Sequence, residues 1–165
     1  MSAVTIRAAA VDDAAAIAAI YNHYVCETVV TFEEEPVDSG VMAARIGQVA
    51  DAGLPWLVAE RAGVVVGFAY ATPWKERSAY RYSVECTVYL APGLEGRGIG
   101  SALYSALFER LEQAGIHAVI AGIALPNERS VALHENFGMT KVAQFKEVGF
   151  KFGRWVDVGY WQGMV

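Results

Sequence analysis

The chain has 165 residues, 55% of them hydrophobic and 19% charged, with a formal net charge of −5. That suits a packed core rather than disorder, and no run of lysines or arginines forms the basic footprint of a nucleic-acid binder. No stretch approaches the ~18 apolar residues of a membrane span, Met1–Asp13 lacks a secretory pattern, and Cys26 and Cys86 have neither metal-ligand nor disulfide-framework spacing. The expectation is a single cytoplasmic domain over residues 1–165, without metal, nucleic acid or membrane partner.

Val4–Arg7 reads as a short strand. Asp12 is placed to cap a helix whose stripe is Ile17, Ile20, Tyr21 and Tyr24, and Cys26–Pro36 has no period and reads as a loop or broken helix. Asp38 or Ser39 caps a second helix with Met42, Ile46 and Val49 inward, stopped near Gly53. Trp56–Arg61 and Val64–Thr72 form a hairpin signal across Ala62-Gly63. Pro73–Tyr80 is a polar, aromatic and basic loop. In Tyr82–Leu90 the alternation puts Val84, Cys86, Val88 and Leu90 on one face and Ser83, Glu85, Thr87 and Tyr89 on the other.

Gly98–Ala114 is the strongest predicted helix, with Ile99, Ala102, Leu103, Ala106, Leu107 and Leu111 as its apolar stripe. Ala118–Leu125 reads as a buried strand, Pro126-Asn127 opens a short helix through Phe137, and Thr140–Phe150 and Arg154–Met164 are strands turning near Gly153. The order β-α-α-β-β-β-α-β-α-β-β mixes hairpins with crossovers, so an α/β (α+β) fold on a mixed sheet is expected.

The most informative segment runs from Val88 to Ser101, a strand passing through a glycine-rich turn into the long helix. Gly96, Gly98 and Gly100 leave the backbone unshielded at the helix mouth, where several N–H groups can converge on one anion, and Arg97 adds a forked cation. A dinucleotide fold would need a different glycine spacing and an acidic residue further on, and a P-loop would need a lysine here. A glycine turn that only packs helix on strand is the remaining alternative.

Glu95-Gly96-Arg97-Gly98-Ile99-Gly100 resembles the coenzyme-binding signature of the GNAT superfamily, with Glu95 in place of its usual Gln or Arg. Asn127 to Met139 resembles that family's second coenzyme stretch. Asn22-His23-Tyr24, Trp56 to Glu60, Pro73-Trp74-Lys75, Val84 to Tyr89 and Asp157 to Gln162 are similar to the phosphinothricin N-acetyltransferase branch, so the resemblance spans nearly the whole chain.

The resemblance implies a mostly antiparallel seven-stranded sheet with about four helices, and acetyl-CoA as co-substrate. It places the coenzyme on Val88, Tyr89, Leu90, Gly96, Arg97, Gly98, Ile99, Gly100, Ser101, Asn127 and Ser130. It also implies a homodimer and a small amino-acid analogue, of the phosphinothricin, methionine sulfone or methionine sulfoximine type, as the amine.

Amide formation needs a neutral amine, so the site must hold a base. Glu85, on an otherwise apolar strand, is the candidate, and the resemblance agrees; a strand-edge glutamate paired with an arginine is the alternative. His134 either protonates the departing thiolate or clamps substrate or Glu85. His23, His117 and Cys86 read as structural. For an acidic amino acid, Lys75, Arg77 and Tyr80 on the loop before the strand, Thr87 beside Glu85, and Phe32 or Trp74 as walls are the expected contacts, against a loop that is merely solvated. Competing functions are acetylation of a protein N-terminus or of a polyamine, for which Glu33-Glu34-Glu35 speaks, and a non-catalytic acyl-CoA sensor.

Overall fold

The computed structural model describes residues 3–165; Met1 and Ser2, part of the expected domain span, lie outside the described residues. Among the described residues, seven strands form one sheet: β1 (Thr5–Ala8), β2 (Trp56–Arg61), β3 (Val64–Pro73), β4 (Ser83–Leu90), β5 (Ala118–Leu125), β6 (Thr140–Lys151) and β7 (Arg154–Met164). Their spatial order is β1-β2-β3-β4-β5-β7-β6, and only β4 and β5 run parallel. Four α-helices cover the sheet: α1 (Ala14–Glu27), α2 (Ser39–Asp51), α3 (Ile99–Gln113) and α4 (Glu128–Asn136). The element order and the mixed sheet agree with the sequence reading.

Each face of the sheet has its own core. On one, Ile17, Tyr21 and Val25 of α1 and Met42, Ile46 and Val49 of α2 pack on Val58, Phe68 and Tyr89. On the other, Leu103, Tyr104, Leu107 and Leu111 of α3 pack on Ala69, Val84, Cys86 and Val119. A buried leucine contributes roughly 1.5–3 kcal/mol through area removed from water, so α3 is the main anchor of that side.

Two local expectations change. Asp12 lies in a short 3₁₀ turn, Val11–Asp13, and the N-cap position belongs to Asp13. The Asp13 carboxylate is drawn away from the helix amides by Arg7, which donates to both its oxygens at 2.8 and 2.9 Å. Arg7 holds that carboxyl below the usual carboxylate range. Helix α1 also continues through Cys26 and Glu27, so the irregular segment starts at Thr28. Asp38 caps α2 as expected, accepting from Val41 N–H at 2.8 Å.

The feature that positions the site is a divergence in mid-sheet. Strand β4 pairs with β5 only at Ser83–Glu85 against Ala118–Ile120, while β3 stays paired with β4 from Pro73↔Val84 to Gly67↔Leu90. Beyond Glu85 and Ile120 the parallel strands separate, and the wedge between them opens a passage through the sheet.

Candidate active site

The wide end of the wedge is a groove of about 660 Å³ lined by Val88, Tyr89 and Leu90 on one side, Gly96, Gly98, Gly100 and Ser101 at its head, and Asn127 and Ser130 opposite. Gly93, Gly96 and Gly98 have φ of 85°, 75° and 83°. Side chains rarely adopt that left-handed conformation, which explains glycine in this turn. Gly98 is the N-cap of α3 and brings no side chain to its first-turn N–H groups, which have no intrahelical acceptor. Bare amides at the positive end of a 15-residue helix suit a diphosphate. The residues present therefore fit a coenzyme A pyrophosphate.

Two members of the expected set behave differently. Ile99 is 3% exposed and its side chain belongs to the core, so only its amide is available to the groove. Arg97 is exposed and lies outside the groove lining, on the rim. The cation that does line the groove is Arg129, which pairs with Glu95 at 3.8 Å. Glu95, the position that departs from the signature, thus sits in an ion pair at the groove edge.

The β3–β4 ladder assigns the free amides of β4. The bonds Ala91 N–H to Val66 O (2.9 Å) and Trp74 N–H to Ser83 O (3.1 Å) fix the alternation, so Ser83, Glu85, Thr87 and Tyr89 bond to β3. Val88 and Leu90 consequently turn their N–H groups toward the wedge. Tyr89 contributes through its ring, packed on Tyr21 and Tyr24 with centroids 5.3 and 5.1 Å away. Tyr24 in turn donates its hydroxyl to the Leu90 carbonyl.

Through the wedge lies a second cavity of about 410 Å³, sharing Val88, Tyr89, Asn127 and Ser130 with the groove. Glu85, Thr87, Phe32, His134, Val148 and Tyr160 also line it. Glu85 is half-buried, and burial raises its carboxyl above the usual range, opposed by the Lys75 charge. No salt bridge to Glu85 occurs among the described residues, so the expected alternative of an arginine-paired strand glutamate does not hold.

His134 is 4% exposed and packs edge-on against the Tyr104 ring of α3, with centroids 5.1 Å apart. The Ser130 carbonyl can only accept, so His134 Nδ1–H donates to it at 2.7 Å, and Nε2 is left to accept from the Tyr104 hydroxyl at 2.8 Å. The hydrogen bonds of His134 thus go to Tyr104 and Ser130, and none to Glu85 occurs among the described residues. Burial lowers the imidazole pKa, keeping the ring neutral near pH 7.

Tyr104 is the residue that sequence reasoning missed. It lies on the buried stripe of α3, is fully buried, and lines the cavity beside Cys86, whose Sγ donates to its hydroxyl at 3.5 Å. A polar hydroxyl at a stripe position was the available signal. Burial pushes the Cys86 thiol up to about 12, so it holds its proton and is no nucleophile.

The substrate loop is only partly brought in. Trp74 stands edge-on to Tyr160 at 5.9 Å, and Lys75 lies over the Trp74 ring at 4.9 Å. Arg77 and Tyr80 line a surface depression with Pro73, Trp74, Lys75 and Glu76, and neither lines the cavity that Glu85 lines. The loop ends in the 3₁₀ turn Ser78–Tyr80, just before β4 begins.

Comparison with known proteins agrees with this geometry. Residues 6–159 match the family model described as acetyltransferase (GNAT) domain. The chain is 44% identical to a phosphinothricin N-acetyltransferase of Streptomyces viridochromogenes, over 96% of this chain and 86% of that protein. It is 40% identical to an L-methionine sulfoximine/L-methionine sulfone acetyltransferase of Salmonella typhimurium, over 96% and 92%. A GNAT superfamily phosphinothricin acetyltransferase from Sinorhizobium meliloti, solved in complex with acetyl-CoA, superposes with a TM-score of 0.95 at 38% identity, over 100% of this chain and 89% of that one. The chain belongs to the GNAT acetyltransferases and takes acetyl-CoA as its acetyl donor.

Proposed function

We propose that this enzyme acetylates the α-amino group of a small amino acid or analogue, of the phosphinothricin, methionine sulfone or methionine sulfoximine type. The observation that carries the reading is Glu85: a half-buried carboxylate on the wall of a small cavity that opens into the glycine-headed groove where β4 leaves β5. The names of relatives 40–44% identical supply the substrate class.

In this reading the amides of residues 96 to 101 hold the diphosphate, Asn127 and Ser130 flank the pantetheine arm, and the acetyl group lies in the wedge. Glu85 removes a proton from the ammonium. The amine nitrogen then bonds to the thioester carbon, and the carbon–sulfur bond breaks. The Val88 and Leu90 amides, turned toward the wedge, stabilise the charge that builds on the carbonyl oxygen, a contribution of several kcal/mol when such donors are aligned. Tyr104, whose burial keeps it protonated, is the proton source for the departing thiolate: its hydroxyl turns from His134 Nε2 to the sulfur, and the second proton lost by the nitrogen restores the Tyr104–His134 pair. The proton shed by nitrogen balances the thiol that is released.

Phe32, Thr87 and Tyr160 wall the amine, with Trp74 and Lys75 behind Tyr160. A homodimer through the β6–β7 edge accounts for Phe145, Phe150 and Trp155, which are 52%, 54% and 63% exposed on the outermost strands. Val156, Val158 and Trp161 of β7 serve the core instead.

The test is thiol release from acetyl-CoA with phosphinothricin, methionine sulfone, spermidine and a short peptide as acceptors. Release with the first two is expected. Release confined to spermidine or the peptide would replace this substrate class with the competing one.

A further inference from the structure

Strand β6 borders the acceptor cavity without supplying any of the chemistry above, and it contains a lysine that is 1% exposed. Lys151 Nζ donates to the Thr31 carbonyl at 2.8 Å, joining the end of β6 to the irregular segment after α1. Two residues earlier, Gly149 lies beneath the Phe32 ring: a β-carbon there would overlap Phe32 Cζ and Cε2 and lie 3.0 Å from Cε1. Gly149 has no positive φ, so its glycine is explained by the ring above it and not by its backbone.

The approach of β6 to this segment depends on an irregular ladder. Phe145 faces Val158 and Gly149 faces Val156, so four steps along β6 match two along β7. The excess bulges at Glu147, where φ is 52°, and the Asp157 carboxylate ties it down by accepting from Glu147 N–H at 2.8 Å and Gln144 Nε2 at 2.9 Å. The bulge presents Val148 to the cavity beside Phe32. From the opposite side, Tyr21 bonds the Thr31 hydroxyl at 2.8 Å and Arg45 bonds Glu33 at 2.9 Å. Phe32 is therefore suspended between a clamp from α1 and α2 and a clamp from β6.

We propose that Gly149 and Lys151 are specificity-determining positioning residues: together they seat the Thr31–Phe32 segment on β6 and so set the width of the acceptor pocket. The inference rests on the reading of this cavity as the amine site. Lys151 lines neither the groove nor this cavity and acts through Thr31; Gly149 acts by leaving room for the ring. Because the displaced atoms in Gly149→Ala are the far end of an exposed side chain, the ring moves while the sheet stays intact.

Steady-state kinetics of the full chain with methionine sulfone and acetyl-CoA test this. Gly149→Ala should raise KM for methionine sulfone by about 10-fold, leaving KM for acetyl-CoA within about 2-fold, the pattern of a lost ground-state contact to one substrate. Adding Phe32→Leu should cancel that effect, so that the double variant matches Phe32→Leu alone to within about 2-fold, as coupled neighbours do. Lys151→Met should raise the same KM by about 3–10-fold and keeps the test open should Gly149→Ala fail to fold. Equal changes in both KM values, additive penalties in the double variant, or an unchanged KM in Lys151→Met would overturn the proposal. Wild-type protein that acetylates none of the four amines would defeat the amine-site reading itself, whereas active wild type with an indistinguishable Gly149→Ala defeats this inference alone.

Discussion

The glycine-headed groove takes its head from one continuous stretch, Gly96 to Ser101, whereas the cavity proposed for the amine draws Phe32 from the segment after α1, Glu85 from β4, Val148 from β6 and Tyr160 from β7. The first is a backbone device: unpaired amides at a helix mouth serve any chain that must hold a diphosphate. The second is a side-chain device, assembled from residues as far apart in the chain as Phe32 and Tyr160. A diphosphate held this way depends chiefly on backbone conformation, whereas an amine in the second region would meet side chains.

The largest expected effect breaks the first region. Gly98→Val should weaken acetyl-CoA binding by calorimetry at least about 100-fold, because a β-branched residue at a φ of 83° costs roughly 1–3 kcal/mol and its side chain also enters the groove. Retained affinity would show that the turn only packs α3 on the sheet. Glu85→Gln should next lower kcat about 100-fold, the usual scale for a positioned base, with coenzyme affinity unchanged. Its pH behaviour sharpens the contrast. The raised Glu85 pKa means that the rate of the wild type should fall as pH drops through a value above the usual carboxylate range, and this limb should vanish in the variant. The same raised pKa means that stability present below the ordinary carboxylate range is lost as pH rises through the folded-state value. Glu85→Gln should therefore raise the thermal midpoint at pH 8 and leave it unchanged near pH 4. A fixed difference at both pH values would contradict burial as the cause.

Tyr104→Phe should cost about 10-fold in kcat with little change in either KM, since it removes a donor to the leaving group and keeps the ring in the core. His134→Asn, measured alongside, should reproduce that loss; an unaffected His134→Asn with an impaired Tyr104→Phe would free the tyrosine of its imidazole partner. Smallest of all, Arg77→Ala should leave KM for the amine within about 2-fold in a monomeric sample, because Arg77 lines a different depression. A selective rise in that KM would return Arg77 to the pocket.

Much of this was readable in the chain. The hydrophobic period marked α2 and α3, alternation placed Glu85 and Cys86 on opposite faces of β4, and alternating glycines marked the helix mouth, because each depends on neighbours within a few residues. Tyr104 was hidden for a different reason. At a stripe position it is indistinguishable from a core aromatic until α4 brings His134 within 2.8 Å of its hydroxyl. Arg77 illustrates the opposite case: it is close to Glu85 in sequence, yet it does not line the cavity that Glu85 lines.

Sequence alone therefore determined the family and the order of elements, and it pointed to a glycine-lined helix mouth and a candidate base, because these are written in short contiguous stretches of local conformation and polarity. Only the tertiary structure decided which amides of β4 are free, where β4 parts from β5, what His134 bonds to and which residue supports Phe32. Those facts are set by ladder register and by the packing of elements far apart in the chain, and no local pattern encodes the distance between them.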